Sequence, residues 1–183
     1  PSVINLKPSA TLGAALLPAI KVDTRGVFVH ASGRRAYEIF FDVQANDYTP
    51  LDLTRLHPDI LRAGVVSIAV QRQPDTRIHF ALADGTVACL IYDKEDQVEA
   101  WWRIQTDGIV ERVAVLPGSL EDKVYYIVRR TINGADKRYV ERLARMDECQ
   151  GGLISKCADC HLVYDGAPTT TITGLSHLAG RQV

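Results

Sequence analysis

The stretch "RIHFALADGTVACLIYDKEDQVEAWWRI", residues 77–104, decides the fold class. In "RIHFAL" the residues Ile78, Phe80 and Leu82 alternate with His79 and Ala81, the two-residue period of a strand. Asp84-Gly85 follows, a pair that favours a tight hairpin turn. "VACLIY" (87–92), the charged turn "DKEDQ" (93–97) and "VEAWWRI" (98–104) continue the pattern, closed by a second Asp-Gly at 107–108. With "VVSIAV" (65–70) in front, four strands joined by short turns form a meander.

The pattern recurs on both sides. "VERVAVLPG" (110–118), "KVYYIVRRT" (123–131), the Asn-Gly turn at 133–134 and "KRYVERLAR" (137–145) repeat it with an offset of about 44 residues. A weaker copy, "IKV" (20–22), "GVFVHAS" (26–32) and "RRAYEIFFD" (34–42), precedes it. A period of roughly 40–50 residues with four strands per unit is the signature of a propeller blade. The expected fold is therefore all-β, with consecutive antiparallel four-stranded sheets resembling part of a β-propeller. Three blades are expected at about 20–42, 65–104 and 109–145, making a unit over 1–145. An excursion at 43–64 separates the first two, where Pro58 and Gly64 frame one short helix at 58–63. Residues 146–183 read as a C-terminal extension that starts a further unit. The first residue is Pro1 and "GLSHLAGRQV" stops in mid-pattern, so the chain reads as a piece of a longer one.

Composition narrows the classes. In 183 residues, 46% are hydrophobic and 23% charged, enough apolar surface for a sizeable core and unlike a disordered chain. A net charge of −1 gives no basic stripe for nucleic acid. No run of 18 apolar residues spans a membrane, and the apolar stretch from Leu12 to Ile20 is broken by Gly13 and Pro18.

Several residues invite chemical readings. Cys157, Cys160 and His161 match the Cys-x-x-Cys-His pattern that attaches a c-type haem, but the surroundings are β-rich. Cys149 with the same three residues would make a Cys3His zinc set. Its spacing lacks the two compact pairs of a structural site, and the adjacent Cys160-His161 fits a tetrahedron poorly. A cysteine pair at a strand edge, or a disulfide from Cys149, is the plainer account. The carboxylates sit mostly in turns, and His30, His57, His79, His161 and His177 are scattered. No nucleophile elbow or phosphate loop is present. The reading is therefore no cofactor, no metal and no catalytic residue. Trp101 and Trp102 are consecutive, so on a strand they point to opposite faces. Inter-blade packing accounts for them; exposed together, such aromatics would bind sugar rings, which makes a carbohydrate-binding module the alternative function.

The order of segments is similar to that of bacteriophage and prophage tail proteins. "GVFVHASGRRAYEIFFDVQANDYTPLDLTRLHPDI" resembles that family's strand, Arg-Arg, strand and D-Y-x-x-x-D-L-T block. "GVVSIAVQRQPDTRIHFALADGTVACLIYDKEDQVEAWWRIQTDG" resembles the next, with its Gln-x-x-Pro-Asp, Asp-Gly, Tyr-Asp and Ala-Trp. "VERVAVLPG" with "VYYIVRRTINGADKRYVERL", and then "VYDGAPTTTITGLSHLAGRQV", resemble the last two. The blocks cover nearly the whole chain. Cys160 stands where the family pattern has a serine after the aspartate kept here as Asp159, so a structural cysteine explains the haem-like match. Trp102 stands where the pattern often has a histidine.

The resemblance is to propeller-bearing nozzle or stabilisation proteins of short-tailed phages. It implies a structural virion protein without catalysis, made in the bacterial host cytoplasm and placed in the tail. Implied partners are other tail subunits in a homo-oligomeric ring and the portal or adjacent tail proteins, with no membrane and with DNA only as passing cargo. A first or third sheet is then expected to pack on another copy through Phe28, Phe40, Tyr125 or Trp102.

Overall fold

The computed structural model describes residues 10–145, 166–176 and 179–180. It is all-β, with three antiparallel sheets stacked in chain order. The first contains β1 (Ile20–Val22), β2 (Arg25–Val29), β3 (Ala36–Asp42) and β4 (Asp47–Asp52). The second contains β5 (Val65–Gln71), β6 (Arg77–Leu82), β7 (Val87–Asp93) and β8 (Val98–Ile104). The third contains β9 (Ile109–Leu116), β10 (Lys123–Ile132) and β11 (Ala135–Arg142), with β10 in the middle. Among the described residues no helix is long and apolar enough to cross a membrane.

The repeat survives at the level of single atoms. Asp42 ends β3, and its carboxylate accepts from the Gln44 and Ala45 amides at 2.8 and 3.2 Å. Asp93 ends β7 and does the same for Glu95 and Asp96 at 2.9 and 3.0 Å. Each turn closes on a left-handed residue, Asn46 (φ 49°) or Gln97 (φ 57°). The cross-strand register agrees too: Phe28 faces Tyr37 as Phe80 faces Ala88, and Gly26 faces Ile39 as Ile78 faces Leu90. Phe28 therefore holds the place of Phe80.

The links between sheets also repeat. The Val65 amide at the start of β5 donates to the carbonyl of Gly33 in the β2–β3 turn, 2.8 Å away. The Val110 amide at the start of β9 donates to the carbonyl of Gly85 in the β6–β7 turn, at 3.0 Å. Gly85 has φ 86°, and a Cβ there would lie 2.9 Å from the Ile109 backbone, so only glycine fits that junction.

Stacking produces two apolar layers. The face of the second sheet that carries Ile78, Phe80, Leu82, Ala88, Leu90 and Tyr92 packs on the first sheet. Its opposite face, with Ala81, Val87 and Cys89, packs on Val110, Val113, Val124, Tyr126 and Val128 of the third. A sheet covered on both sides reads as nearly continuous apolar sequence, as β6 and β7 do.

Four expectations need correction. Residues 58–63 form no helix: Ile60 bonds back to His57, Arg62 to Asp59 and Gly64 to Leu61, a chain of three-residue turns that drops Leu61 into the core. The first unit extends beyond residue 42, because β4 pairs with β3 inside the supposed excursion. Pro50 is tolerated there since β4 is an edge strand and one of its sides needs no N–H donor. The third sheet has three strands, not four, among the described residues. Asn133-Gly134 is a two-residue hairpin turn with both φ positive (51° and 76°), and Asp84-Gly85 also turns one strand into its partner. Asp107-Gly108 instead links the second sheet to the third, and β10 passes so close that a Cβ on Gly108 would lie 2.8 Å from Val128.

Candidate functional site

Each inter-sheet seam encloses a polar cluster at the same position of the repeat. In the first, Glu38 of β3 is fully buried. Its carboxylate accepts from the Arg25 guanidinium at 2.9 Å and from the Tyr92 hydroxyl of the second sheet, and Lys94 lies 3.5 Å away. Arg25 also sits over the Phe40 ring, 4.5 Å from its centroid, and Lys94 over Tyr92 at 4.9 Å. Both cations reach the surface at one end, so the buried carboxylate is paired rather than isolated.

The matching cluster in the second seam is neutral, while at one end of that seam the buried Asp122 carboxylate accepts from the Arg72 and Gln73 amides at 2.7 and 3.1 Å. Register places His79 of β6 opposite Cys89 of β7. His79 Nδ1 lies 2.9 Å from the Tyr126 hydroxyl and 3.3 Å from the Cys89 thiol. Nε2 faces Gln71 Oε1 at 3.3 Å, an oxygen that can only accept, so the proton sits on Nε2 and Nδ1 is the acceptor for the hydroxyl or the thiol. The Gln71 amide passes the chain on to the Gln73 carbonyl at 2.8 Å. Burial, with the nearby Arg77 charge, lowers the His79 pKa from 6.5 to about 4. Burial also raises the Cys89 thiol to about 12 and pushes Tyr126 well above its ordinary value.

A histidine against a thiol and a hydroxyl has the composition of a nucleophilic pair. Its chemistry is the opposite of one: the thiol is held protonated, the imidazole is held neutral, and both side chains are fully buried. Among the described residues no carboxylate bonds to the His79 ring. His79 and Cys89 are ten residues apart in sequence and match no spacing motif; the Asp84-Gly85 turn between them is the signal that pairs them.

The other candidates fall as follows. Trp101 packs on the first apolar layer, 5.4 Å from the Phe80 ring, and donates from Nε1 to the Leu53 carbonyl at 3.2 Å. Trp102 packs on the second layer. Consecutive tryptophans thus serve two seams and do not stand together in solvent. Phe40 lies on the face that looks toward the second sheet, under Arg25, so neither it nor Trp102 belongs to an end face. Phe28 and Tyr125 do. His30 stacks near Tyr37 and bonds Ser32 at 3.0 Å, while the His57 amide closes one of the three-residue turns. Cys149, Cys157, Cys160, His161 and His177 lie outside the described residues. Among the described residues no three His, Cys, Asp or Glu side chains converge as metal ligands would.

Two faces at the ends of the stack have no further strand on them among the described residues. The outer face of the first sheet is aromatic: Phe28 stacks on Tyr37 at 5.9 Å, and Phe41 meets Tyr48 edge-on at 5.4 Å. Phe41 and Tyr48 are 49% and 50% exposed. The outer face of the third sheet is a mixture. Ile127 and Val140 face each other across β10 and β11, the latter 73% exposed. Beside them Glu111 accepts from Arg138 at 2.7 Å and from Arg129 at 3.2 Å, and Arg129 also reaches Asp136 at 2.6 Å. The hydrogen bond from Arg138, with its charge and that of Arg129, holds the Glu111 carboxyl below its ordinary range. Neither a comparison with protein-family models nor one with curated proteins finds a match.

Proposed function

We propose that the chain is a structural component of a phage or prophage tail, an assembly protein without catalysis that forms part of a portal-proximal nozzle or tube-like ring. The observation that carries the assembly reading is the stack itself. Adjacent sheets cover each other, the His79–Cys89–Tyr126 and Glu38 clusters are buried in the seams, and two end faces remain without a further strand among the described residues, one aromatic and one mixed. Stacked repeat units need neighbours or caps on their terminal faces. The tail assignment rests on the four ordered blocks of resemblance, and with it go the partners: other tail subunits, the portal or an adjacent tail protein.

The test is composition and location. Purified particles should contain the protein in stoichiometric amount, and antibody labelling should mark the tail. Particles that lack it would remove the assignment. The carbohydrate-binding alternative would have to use the exposed Phe41–Tyr48 pair, since Trp101 and Trp102 are each packed in a seam.

A further inference from the structure

We infer that the two end faces are complementary, and that a second copy of this chain docks head-to-tail, its aromatic first-sheet face resting on the arginine-flanked third-sheet face of its neighbour. The inference deepens the assembly reading and rests on it for its biological meaning.

Internal repetition supplies the first support. Register and turn geometry place Phe28, Ile39 and Phe41 of the first sheet where the second has Phe80, Leu90 and Tyr92. In the second sheet those three are 0%, 0% and 3% exposed, because the first sheet covers them. The outer face of the first sheet is therefore the same surface of the repeat with no sheet on it among the described residues. The outer face of the third sheet is correspondingly the side on which the stack would continue.

Chemistry supplies the second. On the third sheet Arg129 and Arg138 lie opposite each other beside the Ile127–Val140 pair, held in place by Glu111 and Asp136, and the opposing face offers the rings of Phe28, Tyr37, Phe41 and Tyr48. Guanidinium groups favour aromatic faces, more so when both are withdrawn from water. The molecule already uses this pairing on the inward face of its first sheet, where Arg25 sits over Phe40. Contact between unlike faces is heterologous, so it builds a ring when the rotation closes and a filament when it does not.

Sedimentation velocity over a concentration series of the 183-residue chain tests this, with the variants Phe41→Glu and Val140→Glu. Both side chains are exposed, and far-UV circular dichroism checks that each variant keeps its strands. The wild type is expected to form assemblies beyond a dimer. Each variant alone should associate at least about tenfold more weakly, because a buried unpaired carboxylate opposes contact. An equal mixture of the two variants should form a heterodimer and stop there, one intact face from each being enough for a single contact. A wild type that stays monomeric up to millimolar concentration overturns the inference. So does a mixture that gives no heterodimer, or a variant that dimerises as well as the wild type. A chain that self-associates but is absent from phage particles leaves this inference standing and removes the tail assignment. A chain present in particles but monomeric in solution does the reverse.

Discussion

The two seams place different chemistry at the same position of the repeat. Glu38 faces the second sheet from β3, and Cys89, its counterpart on β7, faces the third. In each seam a tyrosine of the following sheet points its hydroxyl at the polar cluster, Tyr92 toward Glu38 and Tyr126 toward His79. The first cluster is ionic and reaches solvent through Arg25 and Lys94. The second is neutral and closed. The repeat thus fixes where a buried polar group sits and leaves open whether it carries charge. That choice decides what each cluster responds to: the closed neutral one to acid, the ionic one to loss of a partner.

Acid gives the largest expected effect. The His79 pKa in the fold, about 4, lies below its unfolded value of 6.5, so the unfolded chain binds the proton first as pH falls. The contribution is intact above pH 6.5 and is lost as pH falls from there to about 4, by roughly 3 kcal/mol. Urea unfolding of wild type and His79→Gln at pH 7, 5 and 4 should show the difference between them shrink toward acid. A constant difference would mean that His79 takes up its proton at the same pH in the folded and the unfolded chain.

Next in size is Glu38→Ala, expected to cost about 2 kcal/mol, less than the usual loss on breaking a buried pair, since Arg25 and Lys94 can turn to water. Urea unfolding at neutral pH measures it, and a cost under about 1 kcal/mol would place the ionic cluster with ordinary surface pairs. The smallest effect belongs to an ion pair outside both seams. Arg138→Ala should cost little, as expected of a solvated ion pair, and the cost should fade in high salt. A larger, salt-independent loss would give the end face a stabilising role the seams were thought to hold alone.

Much of the fold was legible because alternation and turn chemistry agree. "RIHFAL" and "VEAWWRI" are β6 and β8 to the residue, and "IKV" is β1. The misreadings share a cause: a local signal whose outcome is set by distant contacts. Pro50 concealed β4 because a proline counts against a strand until the strand is known to lie at an edge. Pro58 and Gly64 framed a helix, yet the segment is held by Leu61 in the core and by Asp52, which caps the Thr54 amide at 2.8 Å. Asp52 itself stays ionised below the ordinary range: burial opposes this but is outweighed by hydrogen bonds from Thr54 and Arg35. The His79–Cys89–Tyr126 cluster was out of reach for a different reason. Two of its members follow from one hairpin, but the third arrives from another sheet, and no spacing rule predicts which face of β10 meets β6.

The junctions at Gly33 and Gly85 have a consequence for how such a chain changes length over evolutionary time. Each sheet is joined to its successor through the same atom, the carbonyl of a turn glycine. As far as the backbone is concerned, a unit can be duplicated or excised as a whole, like a link in a chain. The side chains do not share this indifference. Excision of the second sheet would bring Glu38 to rest on the third without the Tyr92 hydroxyl and Lys94, and would leave Tyr126 without its imidazole. The backbone supplies interchangeable couplings and the buried polar groups supply the key that makes each coupling particular, so rearrangement is cheap in geometry and policed by chemistry.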